Sequence, residues 1–112
     1  MKTDFAGLRA WMLQRLTALY LAVFTLWFGA RLLVAPPADH AAWSAWLAEP
    51  ATKTMVTLFF LALMAHAWVG VRDILIDYVK PAGLRFTLLV AVGFAIAWQL
   101  VWLMDILYGG GA

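Results

Sequence analysis

Three stretches of this chain are apolar over a length that matters: about Leu16 to Val34, about Thr54 to Val71, and about Phe86 to Tyr108, the last with Asp105 as its one charged residue. Each approaches the roughly 20 residues an α-helix needs to cross the roughly 30 Å hydrocarbon layer of a bilayer. Prolines mark their ends. Pro36 and Pro37 stop the first, because proline has no N–H to continue the helical ladder. Pro81 and Gly83 separate the second from the third. The residue ahead of a proline is also pushed out of helical geometry, so the second helix should stop near Val79. So short a turn makes the second and third helices antiparallel neighbours. The pattern predicts spans over about 12–34, 52–79 and 84–108.

Between the first two spans, Asp39 is placed to cap a short helix over about 39–48. Trp43, Trp46 and Leu47 then share one face, as in a helix lying on the membrane surface, and plain anchoring to membrane lipid accounts for them. No internal repeat or low-complexity segment interrupts the chain. The expected fold is an all-α membrane protein, one membrane domain over residues 1–112 with three transmembrane helices.

Composition supports that reading. Hydrophobic residues make up 66% of the 112 and charged residues 12%, about half the roughly 25% charged usual in a soluble domain. There is no cysteine, so the chain holds no disulfide, thiolate nucleophile or iron–sulfur cluster of its own. The net charge of +2 gives no argument for nucleic acid. Its distribution says more. Lys2, Arg9 and Arg15 precede the first span and Arg72, Lys80 and Arg85 flank the later turn; only Arg31 and Lys53 lie on the opposite side. The positive-inside rule then puts the N-terminus in the cytoplasm and the C-terminus in the periplasm. The first span is long, starts late and lacks a small-residue cleavage site, so it reads as a retained helix rather than a signal peptide. No transit-like presequence is present, which points to a bacterial inner membrane.

A few residues do not belong in lipid. His66 lies deep in the second span, where an ionisable side chain is costly and faces a bundle interior or a cofactor. Two readings stand: a neutral histidine hydrogen-bonded to a neighbouring helix, or an axial ligand for haem iron. At about 100° per residue, Ala62, His66, Gly70, Asp73 and Asp77 fall on one stripe. The small residues beside His66 let either a flat macrocycle or another helix come close. Asp73 and Asp77 repel one another at this spacing and sit at a helix C-terminus, where the dipole disfavours negative charge. Either Lys80 or a cation on a partner would offset them. Tyr78 is either an interfacial belt residue or a hydrogen-bond donor to a carbonyl oxygen. Arg15, entering the first span, either snorkels to the headgroups or pairs with an anion at that level. From His66 to Asp77 is about 16 Å along the axis, enough for a haem between the ligand level and the inner surface.

The segment His66-Ala-Trp68-Val-Gly70-Val-Arg-Asp-Ile-Leu-Ile-Asp77-Tyr78-Val-Lys80-Pro81 resembles the signature of the small hydrophobic anchor subunit of succinate dehydrogenase. Arg15-Leu-Thr17-Ala18 resembles the arginine-x-threonine-alanine element of that family's first helix. The resemblance covers nearly the whole chain, and the two-part motif of the second helix is its specific portion.

That resemblance implies half of a heterodimeric, haem-binding bundle. His66 would be one axial ligand of a b-type haem, with the second on the companion cytochrome b anchor subunit. Arg15 would lie near the haem propionates, Tyr78 would hydrogen-bond the carbonyl of ubiquinone as substrate, and Asp77 would support that site. The chain would be non-catalytic by itself. It would attach a flavoprotein subunit that oxidises succinate, in the tricarboxylic acid cycle, and an iron–sulfur subunit that passes electrons to ubiquinone, in the aerobic respiratory chain. A fumarate reductase-type anchor and a non-redox structural or transport subunit are the alternatives. The stripe through His66 favours a redox anchor over the latter.

Overall fold

The structure is a computed structural model, and it describes the backbone of residues 2–109 and the side chains of residues 7–109. Among the described residues there are four helices and no strand: α1 (Lys2–Val34), α2 (His40–Ala48), α3 (Pro50–Tyr78) and α4 (Ala82–Tyr108). Gly7–Val34, Pro50–Tyr78 and Ala82–Tyr108 are long and apolar enough to cross a membrane. At 1.5 Å per residue each runs to about 40 Å, longer than the hydrocarbon layer alone.

The boundaries follow local chemistry. Asp39 has extended backbone and its carboxylate accepts the Ala42 N–H at 2.8 Å, capping α2. Pro50 opens α3 at its first turn, where its missing N–H would have found no partner in any case. Val79 closes α3 two residues before Pro81, and its N–H still bonds the Leu75 carbonyl at 3.0 Å. α1 departs from expectation by starting at Lys2 rather than near residue 12. No proline lies between Lys2 and Trp11, and a lone Gly7 costs too little to stop a helix already propagating from the span.

α3 is the centre of the arrangement, packing against α1, α4 and α2. The α1 face that meets it carries Gln14, Thr17, Phe24 and Phe28, spaced as one heptad stripe. Phe24, Val56, Met64, Val69 and Leu103 form the buried apolar core. No large side chain among the described residues is fully enclosed. Leu26, Leu33, Phe94, Trp98 and Val101 are 70–87% exposed, which only an apolar surrounding or a partner chain makes tolerable.

The two ends of the bundle differ. At the end holding α2, Phe24 stacks on Phe59 at 4.6 Å between centroids and Phe28 stacks on Trp46 at 5.0 Å. Trp43 meets Phe28 edge-on at 6.2 Å, and Arg31 lies over the Trp46 ring at 4.9 Å. The face of α2 expected to lie on the membrane therefore turns inward onto α1, because Phe28 offers the tryptophans an aromatic partner. At the same end the Tyr108 hydroxyl pairs with Thr57 at 2.9 Å, and Lys53 lies 4.7 Å from its ring centroid, joining the close of α4 to the start of α3. At the other end the short Val79–Pro81 turn joins α3 to α4.

Candidate functional site

His66 is half-buried near the middle of α3, on the side facing α1. Its Nδ1 lies 3.1 Å from the Thr17 hydroxyl. Thr17 is itself buried, and its Oγ1 also lies 2.7 Å from the Leu13 carbonyl and 3.1 Å from that of Gln14. The imidazole Nε2 makes no hydrogen bond among the described residues. One turn toward the α3–α4 turn, Gly70 lies under the Gln14 side chain, whose Nε2 sits 3.4 Å from where a Cβ on Gly70 would be. Of the two readings of the small residues beside His66, close approach of another helix is what occurs at Gly70. The Gln14 Oε1 is buried with no hydrogen-bond partner among the described residues.

Beyond Gln14, between α1 and α3, opens a cleft of about 570 Å³ whose polar lining is Gln14, Arg15, Arg72 and Asp73. Arg15 is exposed and lies 5.5 Å from the centroid of the Trp11 ring. It is about 200° round α1 from Thr17, so it reaches the cleft from the flank and does not touch His66. Arg72 pairs with its neighbour Asp73 at 3.2 Å. The cation beside Asp73 is thus Arg72, neither Lys80 nor a partner's cation as expected, while Asp77 has no ion pair among the described residues. Asp77 and Tyr78 are both exposed at the end of α3, Tyr78 at 78%. Trp68 faces the other way, its ring 3.9 Å from where a Cβ on Gly93 would lie, so it packs on α4.

Residue type alone does not single out Gln14 or Arg72 as site residues, and Thr17 enters only within a motif. The signal for Gln14 was available, since a glutamine three residues before a threonine puts two polar groups on one face of an apolar helix. A second cavity, of about 500 Å³ near α2, is lined almost wholly by apolar groups such as Phe24, Phe28, Phe59 and Leu103 and holds no titratable side chain.

The arrangement fits an axial haem ligand. Among the described residues no three His, Cys, Asp or Glu side chains converge on one point, and a haem asks one chain for a single axial nitrogen. A ligating histidine ordinarily has its other ring nitrogen engaged by an oxygen, which is the Thr17–His66 pairing. The adjoining cleft presents the Arg15 guanidinium, the donor type that carboxylates select, beside that of Arg72, which already pairs with Asp73.

Residues 4–101 match the sequence profile of the succinate dehydrogenase/fumarate reductase transmembrane subunit family. The chain belongs to this family. The match takes in nearly all of α1, the whole of α2 and α3 and most of α4, and so includes Arg15, Thr17, His66, Asp77 and Tyr78. The succinate dehydrogenase hydrophobic membrane anchor subunit of Coxiella burnetii is 29% identical over 107 residues, covering 96% of this chain and 93% of its own. The protein of the same description from Rickettsia bellii is 27% identical over 106 residues, covering 94% and 85%. Family membership and three membrane-spanning helices together make this a multi-pass membrane protein.

Proposed function

We propose that this chain is the membrane anchor subunit of a succinate:ubiquinone oxidoreductase, and that His66 is its axial ligand to a b-type haem shared with a companion anchor subunit. The observation that carries the reading is the tethered imidazole, with Nδ1 on Thr17 and Nε2 making no hydrogen bond among the described residues. A histidine serving only to join two helices has no need of a cleft with two guanidinium groups one to two turns away. The half-burial of His66 and the open faces of all three long helices fit a site that a second chain completes.

In this reading His66 would hold the iron, and Arg15, with Arg72 lining the same cleft, would serve the propionates. Bound there, haem b supplies a one-electron redox centre. Tyr78 and Asp77 stand at the end of α3 where basic residues accumulate, which the positive-inside rule assigns to the cytoplasm, leaving the C-terminus in the periplasm. Their exposure leaves the Tyr78 hydroxyl free to donate a hydrogen bond to a ubiquinone carbonyl oxygen, with the Asp77 carboxylate supporting the site. Negative charge develops on that oxygen as electrons arrive, so a donor aimed at it gains strength during the reaction. A flavoprotein and an iron–sulfur subunit dock at the same end, in the inner membrane of a bacterium. The iron–sulfur subunit delivers electrons drawn from succinate, linking the tricarboxylic acid cycle to the respiratory chain.

Affinity purification tests this directly. A tagged chain extracted from its native membrane in mild detergent is expected to bring down succinate-oxidising activity together with a b-type reduced-minus-oxidised spectrum. Recovery of the intact chain with neither would overturn the assignment.

A further inference from the structure

The Thr17 hydroxyl has one proton and sits near three groups that could use it. Two are carbonyl oxygens, of Leu13 at 2.7 Å and Gln14 at 3.1 Å, and these can only accept. The third is His66 Nδ1 at 3.1 Å, which donates or accepts according to its tautomer. A helical threonine whose hydroxyl bonds the carbonyl four residues back commits its proton there, and the shortest of the three contacts is that bond. The oxygen then offers a lone pair toward His66, so Nδ1 carries the proton. In a neutral imidazole Nε2 is left unprotonated, the form a metal takes.

We propose that Thr17 is a positioning residue for the haem ligand: by accepting the Nδ1–H of His66 it fixes both the tautomer and the ring orientation that present Nε2 to the iron. The proposal rests on the haem reading above and adds to it a role for a residue of α1. Three features make Thr17 suited to it. Its hydroxyl proton is directed at the carbonyls of its own helix, with the Leu13 oxygen nearest. Thr17 is buried, so water has little access to the hydroxyl oxygen that faces Nδ1. An oxygen acceptor on Nδ1–H also raises the basicity of the ligating nitrogen, which favours the ferric state of a bound iron.

The test uses the assembled complex in its native membrane. Thr17→Val keeps the shape and removes the acceptor, and Thr17→Ser restores a hydroxyl on a smaller side chain. Thr17→Val is expected to weaken haem retention by about 10- to 100-fold and to raise the haem midpoint potential. Thr17→Ser is expected to return both toward wild type. Succinate oxidation with an artificial acceptor reports that the complex still assembles. A Thr17→Val complex with wild-type haem retention and wild-type potential would overturn the proposal, leaving Thr17 as a helix-joining group only. Wild-type and His66→Ala complexes, measured alongside, separate the two levels. If wild type lacks a b-type signal, or His66→Ala keeps it unchanged, the haem reading itself has failed and the role of Thr17 falls with it.

Discussion

At the scale of single residues, the proposed chemistry of this chain is divided between two places on α3. His66 is held from α1 through Thr17, and Tyr78 stands free at the helix end. The second place yields a clean prediction, because Tyr78 touches little of the chain's own packing. Tyr78→Phe should leave folding and succinate oxidation by an artificial acceptor intact while lowering ubiquinone reduction at least about tenfold, the order expected when a donor to a developing oxyanion is removed. Steady-state kinetics with the two acceptors measures it, and unchanged quinone kinetics would take Tyr78 out of the site. His66, Asp77 and Tyr78 stand out as candidates in the sequence because an ionisable or polar group in or beside an apolar span announces itself. Thr17 and Gln14 were harder to read. Threonine and glutamine are tolerable in a transmembrane helix by bonding their own backbone or a neighbour, so their meaning lies in what faces them across the interface.

At the scale of helices, the α1–α3 contact is built on a close approach at Gly70, where Gln14 lies over the glycine. The 3.4 Å spacing there leaves room for a methyl group at ordinary contact and for nothing larger. Gly70→Ala should therefore change the stability of the purified complex by no more than about 1 kcal/mol, helix propensity favouring alanine by about that amount. Gly70→Leu should displace Gln14, loosen the neighbouring Thr17–His66 contact and lower both the thermal midpoint and the haem content. Differential scanning fluorimetry alongside a haem assay checks the pair; a tolerated leucine would mean the helices are not in contact here. The element boundaries were readable from proline and from the Asp39 cap, since these act locally. The orientation of α2 was not: its aromatic face suits a membrane surface and a protein surface equally, and Phe28 decides between them.

At the scale of the molecule, the chain is thin, 50 × 26 × 22 Å across its Cα atoms, with α3 packed against the other helices and α4 turning Phe86, Phe94, Trp98 and Trp102 outward. The proposed macrocycle would need apolar cover on both faces, and three helices with no fully enclosed large side chain among the described residues supply at most one. The family match and the aligned relatives fit a chain that works as part of a larger membrane complex. The most direct test of the central claim is the reduced-minus-oxidised spectrum of that complex with wild-type His66 and with His66→Ala. The account predicts a b-type spectrum in wild type and its loss or conversion to a weaker, high-spin form in the variant, with the complex still assembled. A wild-type complex without b-type absorption, or a His66→Ala complex with an unaltered spectrum, would contradict it.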